Sequence, residues 1–307
     1  MPWQLQRVPA AVRRGTASTL SPQGLRGIAV EAAWLAAQVA AYPSGLARER
    51  GGDGRRESQG YRTAGLTPVQ RGLLTGDPQA AGTPILLLHG MVGNRSSFVV
   101  LRRLLRRRGF HRIVAVNYQV LTHDVRSAAG LLARQVTALG EASGCERIHI
   151  VAHSLGGVIA RYYVQRLGGE AQVHTLVTLG SPHQGTSAAG LVPHRVCRQL
   201  RPGSDLIGEL AEPAPACRTR FVAFWSDLDL LMLPKHAAQI SHPDLAADNV
   251  LVRGVGHLAM LVDGAIAHRI ATTLAHLDPD RPHLHTTAPP PAPAHQPHLP
   301  AIPATTR

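Results

Sequence analysis

With 307 residues and 44% hydrophobic content, the chain is long enough to bury one catalytic-size core with tails on either side. Its formal net charge is +13, carried by arginines apart from Lys235; they are scattered through tails and helices with no nucleic-acid motif beside them, which argues against a specific nucleic-acid partner. Three cysteines, Cys145, Cys197 and Cys217, show no CxxC spacing, which argues against a metal site and a disulfide framework and leaves only a Cys197–Cys217 pairing open.

In chain order, residues 1–82 read as an N-terminal extension. Residues 1–27 are polar and unpatterned. Ile28 to Tyr42 is an alanine-rich helix with Trp34, Leu35, Val39 and Tyr42 as its larger apolar residues, interrupted by Glu31 and Gln38. It is shorter than the roughly twenty apolar residues of a membrane span. Three readings stay open: an amphipathic helix docked on the main domain, an N-terminal membrane anchor, or the apolar region of a signal peptide. Residues 43–82, rich in Gly and Arg, read as a linker.

Residues 83–277 alternate strands with helices at short spacing, the pattern of a mostly parallel central sheet flanked by helices, an α/β architecture. The first strand, PILLLH at 84–89, is apolar throughout, as a parallel strand covered on both faces requires. It runs into the glycine-punctuated loop His89-Gly90-Met91-Val92-Gly93-Asn94. A helix follows from a Ser96 cap to Arg108, where Arg102-Arg103 and Arg106-Arg107-Arg108 form its solvated face beside Leu101, Leu104 and Leu105. A strand at 111–117 and a helix at 124–142 lead to the segment that organises the chain, IHIVAHSLGGVIA at 148–160. This is a β-branched strand, a sharp turn at Ser154 among small residues, and a helix running to Leu167. Such a turn lifts a serine hydroxyl above the sheet edge, and the Leu155 N–H at the helix start points to the same space. The Met91 N–H, on the loop after the first strand, is the candidate for a second donor to an oxyanion.

The strand at 173–179 closes on the Ser181-Pro182-His183-Gln184-Gly185-Thr186 loop. Residues 187–218 then break the rhythm with four prolines and a short helix at 205–211, a segment suited either to a cap over a pocket or to a solvent-facing excursion. After the strand at 219–225, SDLDLLM offers two acids. Asp229 is preferred because the apolar stretch after it would bury one side of its loop; Asp227 is the alternative. The last strand, 249–253, leads into Gly254-Val255-Gly256-His257, and a helix at 263–276 ends the domain. The proline- and histidine-rich residues 278–307 read as a disordered or polyproline tail.

Taken together, the AHSLGG turn, HGMVGN, SPHQGT and the pairing of SDLDLLM with GVGHLAML resemble the α/β-hydrolase superfamily, and within it the small bacterial triacylglycerol lipases and esterases whose nucleophile turn begins with alanine. The resemblance spans roughly residues 82–276. It implies Ser154 as nucleophile, Asp229 as acid, His257 as base, and Met91 and Leu155 as backbone oxyanion donors. The extension, the 187–218 insertion and the tail depart from those lipases.

The reading is a serine carboxylic-ester hydrolase acting on an acyl ester or lipid as a monomer, with no metal or organic cofactor. Acyl transfer and thioester or amide hydrolysis would use the same triad, and a non-catalytic binding protein of the same fold is the reading from another class. The basic charge suits weak attraction to an anionic lipid interface. Cytoplasmic residence, with membrane association through helix 28–42, is the expected location, and secretion the alternative.

Overall fold

The computed structural model describes residues 22–46, 82–91, 93–118 and 124–275. The expected tail, residues 1–21 and most of the linker lie outside the described residues.

Among the described residues six strands form one wholly parallel sheet: β1 (Ile85–Leu88), β2 (Ile113–Val116), β3 (Ile148–His153), β4 (Val173–Leu179), β5 (Arg220–Ser226) and β6 (Ala247–Val252), in the spatial order β2-β1-β3-β4-β5-β6. Alternate residues of the central strands feed two cores. Leu86, Leu88, Ile150, Ala152, Leu176 and Phe221 face α3 (Val125–Ser143) and α4 (Leu155–Arg166). Ile85, Leu87, Val151, Val177, Val222 and Phe224 face α2 (Val99–Arg106) and α7 (Gly264–Leu274). Each buried aliphatic side chain stabilises the sandwich by roughly 1.5–3 kcal/mol, and a strand feeding both cores has no polar face. That is why β1 reads as a continuous apolar run, and β3 is apolar but for the buried His149 and His153. β6, at the sheet edge, is only half-buried.

Helix ends follow local chemistry. Asp124 caps α3 through the Ser127 N–H at 2.8 Å, and Gly144, with φ +67°, ends it. Asp263 caps α7 through the Ala265 and Ile266 N–H groups. The expected Ser96 cap is displaced: Asn94 accepts from the Ser96 N–H at 2.9 Å and starts a short 3-10 turn over Arg95–Phe98, so α2 begins only at Val99.

The 187–218 segment packs on the domain in part, with its other residues facing solvent. It carries α5 (Arg195–Gln199), which the proline pattern concealed, and α6 (Asp205–Ala211). Val196, Cys197, Leu200, Leu206 and Leu210 all join the first core. Arg161, buried on α4, donates to the carbonyls of His183 at 3.0 Å and Leu210 at 2.8 Å, fastening the segment to the loop after β4. The three cysteines are free thiols, so the Cys197–Cys217 pairing is not formed.

The N-terminal helix, α1, runs from Pro22 to Leu46 and continues through Pro43 into the stretch expected to be linker. It lies across the C-terminal edge of the sheet. Gly27 sits against Leu228 and the Gly254 carbonyl, where an added Cβ would be 2.4 and 2.5 Å from them. Further along, the Tyr42 carbonyl accepts from Asn94 Nδ2 at 2.8 Å and the Gly45 carbonyl from Asn117 Nδ2 at 2.7 Å. The helix therefore passes from the ends of β5 and β6, over the end of β1, to the end of β2. No helix among the described residues is long and apolar enough to cross a membrane.

Candidate active site

The β3–α4 turn is built for close approach. Ser154 has φ +55°, the one non-glycine residue among those described with positive φ, a conformation that costs an L-residue of order 1–3 kcal/mol and persists only where its surroundings hold it. The surroundings do hold it: the Ser154 N–H donates to the Leu179 carbonyl at 2.9 Å. A Cβ at Gly156 would lie 2.5 Å from the Leu88 and His89 carbonyls, and one at Gly157 2.0 Å from Ser181 Oγ. Ala152 occupies the position where the commoner form of this turn has glycine. It is fully buried in register between Leu88 and Thr178, where a methyl group is accommodated.

The Asp229 and His257 loops meet beside this turn. His257 Nδ1 lies 2.7 Å from Asp229 Oδ2, with the two side chains 4% and 0% exposed. The other carboxylate oxygen accepts from the Leu231 and Met232 N–H groups at 2.9 and 3.2 Å, and Lys235 Nζ donates to the Asp229 carbonyl. Asp227 points elsewhere, and its carboxylate accepts from the Gly254 N–H at 2.8 Å, bracing the loop that carries His257. The geometry thus brings Asp229, not Asp227, to the imidazole.

Burial works against the charged imidazole, but the Asp229 carboxylate, by charge and hydrogen bond, and the Glu31 carboxylate outweigh it and hold His257 above its ordinary value. Burial likewise opposes ionisation of Asp229, yet His257 and the backbone N–H donors keep it below the usual carboxylate range.

Three further contacts brace these loops, two of them against the Ser154 turn. Gly180, the residue after Leu179, has φ +55°, and a Cβ there would be 2.8 Å from Asp229 Oδ2 and 2.9 Å from His257 Nδ1. His153, next to Ser154, places its ring 4.6 Å from that of His257, and its Nε2 pairs with the His257 carbonyl at 3.0 Å. Burial lowers the pKa of His153 to about 3, so it serves as a neutral brace. The third is Glu31 of α1, whose carboxylate accepts from the Leu258 N–H at 2.8 and 3.0 Å and the Ala259 N–H at 2.9 Å. Glu31, His153 and Gly180 escaped the sequence reading. Glu31 lies far from the other motifs in the chain, and the two others had no marker beyond adjacency to a strand end.

The loop after β1 is similarly fixed. The Tyr118 hydroxyl donates to the His89 carbonyl at 2.7 Å, its ring stacks on the His89 ring with centroids 4.4 Å apart, and His89 Nδ1 donates to the Gly90 carbonyl at 2.8 Å. Burial lowers the His89 pKa to about 4, so it is a neutral loop-holding residue. A Cβ on Gly90 would come within 2.8 Å of Ser154 Cβ, which puts the Met91 N–H in the neighbourhood of the serine. Cys197 of α5 contacts the Met91 sulfur at 3.7 Å, seating the insertion on this loop. Leu155 begins α4, with its N–H at the helix N-terminus. Among the described residues no cluster of His, Cys, Asp or Glu has the arrangement of a metal site.

A model of the palmitoyl protein thioesterase family matches residues 84–234, which include Ser154 and Asp229 but neither α1 nor His257. Among solved structures, the chain is similar to lipase B of Aspergillus fumigatus, with 15% identity and a TM-score of 0.56 over 73% of this chain and 58% of that one. It spans 70% of itself and 96% of the mature form of the Bacillus licheniformis lipase BlEst2 at 14% identity and a TM-score of 0.54. With the propeptide form of the same enzyme it shares 15% identity and a TM-score of 0.53, over 64% of this chain and 50% of that one. The parallel sheet order, the strained serine turn after β3 and these likenesses together show that the chain has the α/β-hydrolase fold.

Proposed function

We propose that the protein is a serine hydrolase that cleaves carboxylic acyl esters through an acyl-enzyme on Ser154. The observation that carries this is the buried 2.7 Å pair of Asp229 and His257, locked through Gly180 and His153 onto the turn that presents Ser154.

With Nδ1 of His257 committed to Asp229, Nε2 is the nitrogen left to take the Ser154 proton as Oγ attacks the acyl carbonyl carbon. The C=O electron pair moves onto oxygen, and the Leu155 and Met91 N–H groups hold that oxyanion; each such donor is worth about 3 kcal/mol in the transition state. Collapse breaks the ester C–O bond, the imidazolium gives its proton to the leaving alcohol, and water repeats the sequence to release the acid. The Asp229 carboxylate keeps the tautomer and offsets the imidazolium charge throughout.

A second reading, thioester cleavage, is supported by the match to the palmitoyl protein thioesterase family over the segment holding Ser154 and Asp229. The acyl-enzyme is the same; the leaving group is a thiol, which needs less help from the imidazolium.

The test is hydrolysis of p-nitrophenyl esters from acetate to palmitate alongside palmitoyl-coenzyme A, with Ser154→Ala and His257→Ala. Turnover of the oxygen esters that both substitutions abolish supports the ester reading. Efficient cleavage of the thioester alone moves the second reading to the front. A folded protein that leaves every substrate intact sinks both.

A further inference from the structure

Helix α1 is turned inside out relative to an ordinary surface helix. The residues it directs at the domain are small or polar: Gly24, Gly27, Glu31, Gln38, Ala41 and Gly45, with Trp34 the exception. The large apolar side chains face away from the protein, with Leu25 55%, Leu35 49% and Val39 67% exposed and Ile28, Val30 and Tyr42 also open. The inward polarity has a local cause, because the helix packs over the polar catalytic edge and uses its one carboxylate on the Leu258 and Ala259 N–H groups. Nothing comparable accounts for the outward face.

The apolar surface continues beyond the helix. Gly27 contacts Leu228, and the loop that follows exposes Leu230, Leu231 and Leu233. That loop is tied through Ser187 N to the Leu233 carbonyl, at 2.9 Å, to the turn exposing Leu191 and Val192. Basic charge outweighs acidic around this surface, where Asp227 and Asp205 are the nearby acids. With Glu31 turned inward, the outward charge of α1 is Arg26, and exposed Arg253 stands beside Gly254, which Gly27 touches. Arg195, Arg198 and Arg201 are exposed on the segment that bears Leu191 and Val192.

We propose that this face docks on an anionic phospholipid bilayer, α1 lying in the interface plane with its apolar side among the acyl chains and the surrounding arginines against the headgroups. A second copy of the chain fits less well. The apolar surface runs past the helix onto the loops that expose Leu230, Leu231, Leu191 and Val192, where a helix pair would leave it uncovered, and α1 lacks the flanking opposite charges that set partner and register in such a pair. The docked orientation turns the catalytic edge of the sheet toward the membrane. The proposal does not depend on the chemistry assigned to Ser154.

The experiment is flotation of the full-length protein with vesicles of phosphatidylcholine alone and of phosphatidylcholine with phosphatidylglycerol, for the parent and for Leu35→Glu/Val39→Glu. Leu167→Glu, an exposed leucine beyond the far end of α4, is the control, and thermal unfolding of each variant checks the fold. The expected result is parent binding that is stronger on the anionic vesicles and falls with salt, a loss of about tenfold or more in the double variant, and none in the control. A milder Leu35→Gln/Val39→Gln variant carries the test if the charged one does not fold. Equal binding by parent and folded double variant overturns the proposal, as does a parent that floats with neither vesicle. A parent that self-associates in solution, becomes monomeric in the double variant and ignores vesicles assigns the face to a second copy and overturns it as well.

Discussion

The carboxylate of Glu31 accepts hydrogen bonds from the two backbone N–H groups that directly follow His257, at 2.8 to 3.0 Å. A residue of the N-terminal helix thereby holds the loop of His257 and adds negative charge close to its ring, one of the influences that raise its pKa. Since the base form of His257 is the neutral imidazole, turnover should rise with pH through a value above the ordinary histidine pKa. Glu31→Gln keeps an acceptor oxygen but removes the charge, so the acid limb of kcat/KM on a water-soluble ester should move to lower pH. Glu31→Ala also leaves two N–H groups without their acceptor. At about 1.5–3 kcal/mol for hydrogen bonds to a charged group, its kcat should fall roughly ten- to a hundredfold. An unmoved pH profile in Glu31→Gln would show that the carboxylate is structural only.

The two aspartates of the loop after β5 should separate cleanly. Asp229→Asn removes the charge facing His257 Nδ1 and permits the wrong tautomer, for which a loss on the order of 10⁴ in kcat is expected. Asp227→Asn still offers an oxygen to the Gly254 N–H and should retain activity within about tenfold, the range of one neutral hydrogen bond. Steady-state kinetics on one ester decides the matter, and equal losses would mean that the pairing with His257 is not what the reaction uses.

Gly180→Ala should be silent in neither stability nor activity. The new methyl group would be 2.8 Å from Asp229 Oδ2 and 2.9 Å from His257 Nδ1, on a backbone at φ +55°. A destabilisation of about 1–3 kcal/mol follows from the backbone alone. Turnover should fall further than the residual stability explains. Urea unfolding together with active-site titration by a serine-directed phosphonate would separate the two losses.

Much of this was legible in the chain because parallel strands buried on both faces must be apolar throughout. Hence the runs ending at His89, His153, Leu179 and Trp225 marked the sheet, and the residues just beyond their ends marked its functional edge. The choice between Asp227 and Asp229 rested on which would be buried. What decides it is the direction of individual N–H groups at Leu231, Met232 and Gly254, and periodicity carries no trace of those. Asn94 displaced Ser96 as a cap because the loop after β1 turns before the helix starts. The orientation of α1 was equally hidden. The rule that apolar side chains point inward presumes an apolar place to go, whereas the ground beneath this helix is largely polar, made of the Gly254 carbonyl, the Leu258 and Ala259 N–H groups and the side chains of Asn94, Ser97 and Asn117. Glycines and a carboxylate fit that ground better than leucines do.

Leu179 and Gly180 form a two-residue hinge point with an operational consequence. The first holds Ser154 in its left-handed turn by its carbonyl, and the second is the floor on which Asp229 and His257 meet. Loss of order at the end of this one strand removes the nucleophile and its base together. Inactivation by heat or denaturant should therefore show no partly competent form. A serine-directed phosphonate and the ester substrate should lose their signals on a single curve, because the protein has no way to keep a reactive serine without its histidine.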